Sequence, residues 1–212
     1  MIEIIAHRGY WQKTSEKNTF GAFERAFSLN FGVETDIRDY RNELVISHDI
    51  PSSRCLKLES FFSLYRDYRQ KSALALNIKS DGLREQLRAA LKKFGIKNYF
   101  VFDMSFPEQL LYTRAGFNVF ARQSEYERSP LLYKDAKGVW LDEFDSRWIK
   151  AANIAGHARK NKKVCIVSPE LHGRDHRAAW NQYRLLSKKI ADKVTLCTDL
   201  PLKAREFFNE KN

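Results

Sequence analysis

Short apolar segments rich in β-branched residues recur along the chain, and nearly every one is followed by a longer stretch with apolar positions at helical spacing. The pattern predicts strands at 2–6, 32–37, 74–78, 99–102, 118–121, 138–141, 163–167 and 194–197. Helices are expected at 19–30, 57–69, 82–94, 107–114, 146–160, 174–191 and 202–210, and only the fifth strand lacks a long helix after it. Between 39 and 48 a turn at Arg41–Leu44 precedes the apolar run Leu44, Val45 and Ile46, so a hairpin is expected to extend the second strand.

Alternating strand and helix is what a parallel sheet with crossover helices requires. Eight strands suit a closed barrel, so the expected fold class is α/β: a single small (β/α)8 TIM barrel, with some helices short or missing because 212 residues is near the lower size limit. An open doubly wound sheet is the alternative. It lacks support in the first turn, where Gly9 stands alone instead of in a glycine-rich dinucleotide loop. No linker rich in Gly, Pro or Ser and no internal repeat divides the chain, which is expected to form one domain over 1–212.

Composition narrows this picture. A 43% hydrophobic and 13% aromatic content supplies a core and excludes disorder as the main state. No apolar run reaches the ~18 residues of a membrane span, and the start MIEIIAHRG does not have the layout of a secretory signal. Cys55, Cys165 and Cys197 are odd in number and widely spaced, as reduced thiols are, and a cytoplasmic location is expected. The net charge of +11 points to an acidic partner: nucleic acid, an anionic surface or a phosphorylated substrate. Its densest run, Arg159, Lys160, Lys162 and Lys163, closes a predicted helix and reads as a solvated face.

The chemistry gathers where apolar strands end. His7 and Arg8 follow the first strand, Glu34 and Asp36 lie in the second, His48 and Asp49 close the hairpin, and Asn77 and Lys79 flank the end of the third. In a parallel barrel such ends share one face, where active sites lie. Glu34 and Asp36 are two apart, so both point to the same side of a strand. A hard divalent ion, Mg2+ or Ca2+, is the natural occupant between two such carboxylates; neutralisation by Arg8 or Arg38 is the competing explanation. Two histidines can divide proton transfer between nucleophile and leaving group. With Arg8 and Lys79 beside them, the balance shifts toward phosphate chemistry.

The succession IAHRG, KNTFGAFERA, VETDIRDYRNELVISHD, LNIKSDG and TLCTDLP resembles the glycerophosphodiester phosphodiesterase family, and more broadly the phosphatidylinositol-phospholipase-C-like phosphodiesterases on a TIM barrel. The resemblance runs from Ile5 to about Lys79, with a weaker echo at Thr198 to Pro201. It implies metal-assisted cleavage of a small phosphodiester, with a link to lipid metabolism. Under it His7 and His48 are the catalytic acid and base, Arg8 and Lys79 bind substrate, and Glu34, Asp36 and Asn77 hold a divalent metal, Mg2+ or Ca2+. A substrate hydroxyl next to the phosphate can attack first and give a cyclic phosphodiester.

Two positions depart from the family pattern. Lys17 stands where the triplet before Asn18 and Thr19 has a carboxylate, with Glu16 displaced by one. Asn77 replaces an acidic ligand, so metal affinity should be weaker unless Asp142 or Glu143 substitutes. Near the C-terminus the turn SPELHGR places Glu170, His172 and Arg174 after a strand, and Arg174 is expected to bind substrate. The stripe Phe23, Phe27, Phe61, Phe62 and Tyr65 reads as core, as do Trp140 and Trp148 as core or rim. His157 and His176 are expected on helix surfaces or at caps.

Three functions compete. The first is a metal-dependent phosphodiesterase; the second is a weak or inactive phosphate-binding barrel, suggested by Lys17 and Asn77; the third is nucleic-acid binding, which has only the charge behind it. No specific nucleic-acid partner and no transmembrane segment are expected. The flanking alcohols, the choice of metal and the oligomeric state stay open at this stage.

Overall fold

A computed structural model describes residues 1–209. Its backbone packs as two compact units, Ala6–Asn118 and a second made of Met1–Ile5 with Val119–Asn212. Strand β1 (Glu3–His7) ends in the first unit, where it neighbours β2 (Gly32–Tyr40).

In the first unit the chain runs from β1 through α1 (Phe20–Ser28), β2, β3 (Glu43–Ile46), β4 (Leu56–Lys57), α2 (Leu58–Asp67), β5 (Leu74–Ile78), α3 (Arg84–Phe94) and β6 (Tyr99–Phe102) to α4 (Phe106–Arg114). Thr19 caps α1 by accepting the Ala22 N–H, so the helix starts where the side chain can satisfy an orphan donor. β2 is the hub. Val33–Ile37 pair in parallel with Leu74–Ile78, and Ile37 to Tyr40 pair antiparallel with β3. The hairpin turns on Arg41 and Asn42, with φ of 50° and 65°, the left-handed pair that a two-residue turn between twisted strands needs. The expected hairpin is therefore present, and it lengthens β2 beyond Ile37.

The aromatic stripe is buried. Phe61 sits at its centre, its ring centroid 4.6 Å from Phe23, 5.6 Å from Phe27 and 5.9 Å from Phe62, tying α1 to α2. Phe61→Ala should cost about 3–5 kcal/mol in urea denaturation, because ring burial is lost and a cavity is left, while Phe61→Leu should cost much less. Equal losses would show that the site does not read shape.

The second unit contains β7 (Phe120–Gln123), β8 (Gly138–Leu141), α5 (Ala151–Arg159), β9 (Lys163–Val167), α6 (Arg177–Arg184), α7 (Lys188–Ala191), β10 (Val194–Thr198) and α8 (Pro201–Asn209). β7 pairs with β8, β8 with β9 and β9 with β10, all in parallel. No helix follows β7 directly, as the pattern implied. Two helices are shorter than their spacing predicts. The helix expected from 146 begins at Ala151 because the Glu125 carboxylate accepts the N–H groups of Phe144, Asp145 and Ser146 and holds that segment as a loop. Burial pushes the Glu125 pKa up, but these backbone donors outweigh it and bring it to about 2.

The helix expected over 174–191 starts at Arg177 and breaks before Ser187, whose extended backbone begins α7. The last predicted helix is described to Asn209, and its final position, Glu210, lies outside the described residues. The basic run is partly tied down: Lys160 and Lys162 lie over the Tyr133 ring, and Lys162 also caps the carbonyls of Lys134 and Ala136. His157 is not a surface residue. It is half-buried between Tyr133 and Gln123, and burial lowers its pKa. His176 precedes α6 at its N-cap, buried against Trp180. Trp140 is core, and Trp148 donates to the Asp142 carbonyl. Among the described residues no helix is long and apolar enough to cross a membrane.

Candidate active site

The site is built in the first unit, at the C-terminal ends of β1, β2 and β5. β1 ends at His7, and the chain reverses through Arg8 and Gly9, with φ of 57° and 86°. Arg8 N–H donates to the Glu34 carbonyl at 2.9 Å, locking this turn onto β2. A Cβ on Gly9 would lie 2.9 Å from backbone and side-chain atoms of Ala22, so only glycine lets α1 approach this closely. The turn and helix together fix where His7 and Arg8 are presented.

Glu34 and Asp36 share one face of β2, and Asn77 is the register partner of Asp36 on β5. All three are buried, Asp36 completely. Asp36 Oδ2 accepts from Asn18 Nδ2 at 2.9 Å and lies 3.1 Å from Arg8 Nε; its Oδ1 is 3.6 Å from Lys79 Nζ. Lys79 reaches in turn toward Asp103 Oδ2 at 3.4 Å. His7 Nε2 stands 3.8 Å from Glu34 Oε2. Arg38 donates to the His48 carbonyl, so of the two arginines weighed as neutralising partners it is Arg8 that pairs with the acidic couple.

Among the described residues three buried oxygens, Glu34 Oε2, Asp36 Oδ1 and Asn77 Oδ1, have no hydrogen-bond partner. Buried acceptors left unmade cost free energy, so three on adjoining strands call for a ligand or a proton. Burial pushes the Glu34 carboxyl well above its ordinary range and Asp36 adds to this, while Arg8 and Lys79 pull the other way. Two carboxylates and an amide oxygen are the donor types a hard cation prefers, and this donor set fits Mg2+ or Ca2+. Among the described residues no group of three His, Cys, Asp or Glu side chains is placed to hold a metal, so Asn77 is the third donor available.

His48 follows β3 and is exposed. Its Nδ1 is 2.8 Å from Asp49 Oδ1. That bond holds the Asp49 carboxyl below its usual pKa, helped by the charges of Arg8 and Arg38. An ionised Asp49 accepts only, so His48 carries its proton on Nδ1 and presents Nε2 outward. Arg8, Asn18 and His48 line one cleft.

Sequence reasoning left two positioning residues without a role. Asn18, held at φ of 61°, bridges Asp36 and the Thr35 hydroxyl and orients the carboxylate. Its only signal was its place in the KNT triplet. Asp103 binds Lys79, and the signal was a polar residue directly after a buried strand. Glu16 is engaged elsewhere, on Arg25 and the Gln12 N–H.

The remaining candidates belong to the second unit. Arg174 donates to the Glu143 carbonyl, while its Nε and Nη1 are buried without a hydrogen-bond partner among the described residues. Asp142 accepts from Glu143 N–H and pairs with His172 Nε2 at 2.7 Å, and Glu143 accepts from Ile149 N–H. Glu170 is consumed by the Ser168 and Thr198 hydroxyls. The hydrogen bond to Asp142 raises the His172 pKa above 6.5. A raised folded value means this pair stabilises fully at pH below the unfolded value and less as pH rises through the folded one. The Tm advantage of the native chain over His172→Gln should therefore be larger at acid than at alkaline pH; a constant gap would remove the coupling.

Parallel strands with crossover helices, and a polar site at the strand ends, define a TIM-barrel-like α/β fold. No family model matches the sequence, and no curated protein matches it. Solved structures do. A glycerophosphodiester phosphodiesterase from Agrobacterium tumefaciens is similar over 97% of this chain and 100% of its own, with TM-score 0.69 and 16% identity. A phosphodiesterase from Oleispira antarctica, in complex with the product sn-glycerol-3-phosphate, gives TM-score 0.65 at 15% identity over 98% of this chain and 97% of its own. A Ca2+-dependent phosphatidylinositol-specific phospholipase C from Streptomyces antibioticus gives 0.53 at 9% identity over 98% and 96%. At such identities the likeness shows the fold, and the chain has the fold of the glycerophosphodiester phosphodiesterase structures.

Proposed function

We propose that this protein is a phosphoric diester hydrolase that cleaves a glycerophosphodiester or a related small, lipid-derived phosphodiester with the help of a divalent ion. The observation that carries this is the set of three buried oxygens on β2 and β5 that have no hydrogen-bond partner among the described residues, flanked by His7, Arg8 and Lys79. A cation among those oxygens and an anion on those basic groups would satisfy both halves. The fold shared with phosphodiesterase structures, one of them holding sn-glycerol-3-phosphate, supports the substrate class.

Arg8 and Lys79 are the groups that bind the phosphate oxygens, each kept in place by Asp36. Glu34, Asp36 and Asn77 would hold the ion, which supplies charge stabilisation to the phosphoryl oxygens when bound. His48, oriented by Asp49, and His7, beside Glu34, divide the proton transfers: one neutral ring takes the proton of the attacking hydroxyl and the other, protonated, gives one to the leaving alkoxide. If the attacking hydroxyl belongs to the substrate, the first product is a cyclic phosphodiester. Among the described residues Cys55, Cys165 and Cys197 form no disulfide, which suits a reducing compartment such as the cytoplasm.

A second reading, a phosphate-ligand-binding protein without turnover, draws on Asn77 at the third donor position. One experiment separates them: purified protein with a panel of glycerophosphodiesters plus Mg2+, Ca2+ or Mn2+, and the same panel with chelator. Hydrolysis that chelator abolishes is the expected result. Calorimetric binding without turnover, indifferent to chelator, would establish the binder instead. In the same panel Arg174→Ala is expected to raise KM; unchanged KM and kcat throughout would remove Arg174 from the reading.

A further inference from the structure

Three basic segments, 134–137, 159–163 and 188–193, lead into the N-terminal ends of β8, β9 and β10 in the second unit. Together they carry nine lysines and arginines against two carboxylates, Asp135 and Asp192. Asp192 is taken by the Met1 amino group. Two lysines act as struts between the segments. Lys162 Nζ donates to the carbonyls of Lys134 and Ala136, and Lys193 Nζ donates to the Ala158 carbonyl at 3.0 Å and to Asn161 Oδ1 at 2.9 Å. With α7 packed on α5, the three segments make one continuous surface. Six of its cations, Lys134, Lys137, Arg159, Lys163, Lys188 and Lys189, are exposed, and their side chains make no hydrogen bond or salt bridge among the described residues. Lys188 acts on Asp192 through space only.

The fold does not need this concentration of charge. The helix dipole favours Arg159 in the last turn of α5, but Lys134 and Lys137 lie outside any helix and Lys163 opens β9. Like charges gathered on one surface repel, and an anionic partner relieves that repulsion. An apolar side chain stands beside them: Leu185, between α6 and α7, is 78% exposed three residues before Lys188. We propose that this surface docks on an anionic lipid bilayer, with the lysines at the lipid phosphates and Leu185 in the apolar edge of the interface. Basic residues around an exposed leucine gain from both parts of such a surface. A nucleic acid would use the charge and leave Leu185 in water, and Tyr133, the aromatic ring beside these lysines, already lies under Lys160 and Lys162 and offers no face for a base. The inference stands apart from the hydrolase reading, because neither the candidate site nor a substrate enters it.

Sedimentation of the full chain with vesicles tests it, using phosphatidylcholine alone and phosphatidylcholine mixed with phosphatidylglycerol. The native chain should partition onto the mixed vesicles about tenfold or more above phosphatidylcholine alone, and raising salt from ~0.1 to ~0.5 M should remove most of that difference. The double variant Lys188→Glu with Lys189→Glu should lower partition onto mixed vesicles by about tenfold or more, since each cation near an anionic bilayer contributes about fivefold. Leu185→Ser should lower it about threefold and leave the salt dependence unchanged. Arg177→Glu with Lys203→Glu makes the same change of net charge at the first turns of α6 and α8, at the other end of this unit, and should stay within about threefold of the native chain. Equal partition onto the two vesicle types, or equal losses in the two double variants, overturns the assignment. So does tighter binding to a DNA duplex than to mixed vesicles, lost with Lys188 and Lys189 and indifferent to Leu185→Ser, which would give the surface to a nucleic acid. Each of these outcomes leaves the hydrolase reading where it stood.

Discussion

His7→Ala and His48→Ala are each expected to lower kcat on the best glycerophosphodiester by about 10²–10⁴-fold, the usual contribution of a positioned general acid or base. His48 is exposed and its ring touches Asp49, so its removal should leave the Tm almost unchanged. His7 is more enclosed, beside Glu34, and His7→Gln keeps polarity there as a check on folding. Groups that act as one unit are not additive, so the double variant should be little worse than the weaker single one. Asp49→Asn should act more mildly, because it loosens the tautomer of His48 without removing the ring. Full activity in both alanine variants would end the two-histidine mechanism.

The second large effect is on metal binding, read by thermal unfolding without any substrate. A divalent ion at about 100 times its Kd stabilises by about 2.7 kcal/mol, which for a chain of this size is roughly 5–10 °C in Tm. Glu34→Gln and Asp36→Asn should each abolish that rise. Without metal, Glu34→Gln should be no less stable than the native chain, since it removes a carboxyl whose charged form burial disfavours. Asp36→Asn should be less stable, because Arg8 and Lys79 lose their counter-charge. Asn77→Asp supplies the missing negative charge and should enlarge the rise. Equal shifts in all four proteins, or none with Mg2+, Ca2+ or Mn2+, would remove these residues as ligands.

Much of the fold was legible because its strands are buried on both sides. β5, β6, β8 and β9 fall on the residues their apolar runs predicted. Where expectation and structure part, a side chain or cap has competed with the helical backbone. Glu125 captures the three N–H groups that would have opened α5 a turn earlier, and Ser187 divides the helix expected over 174–191. Neither can be read from periodicity, since the capturing group lies about twenty residues away in one case and local backbone geometry decides the other. The pairing of Glu34 with Asp36 was visible, because a strand places residues i and i+2 on one face. Asn18 and Asp103 were not recognised as positioning residues, because each gains its role only by meeting a strand distant in the chain.

By itself the amino-acid order determined the alternation of strand and helix, the hairpin after the second strand, and a polar group at each strand end, all consequences of local periodicity and turn chemistry. Tertiary structure decided which of those polar groups stay unsatisfied. Register sets Asn77 against Asp36, the Gly9 turn brings Arg8 onto the same carboxylate, and three oxygens remain buried without a hydrogen-bond partner among the described residues. Whether a polar atom has a partner depends on what long-range packing places within reach of it, and no local pattern carries that information.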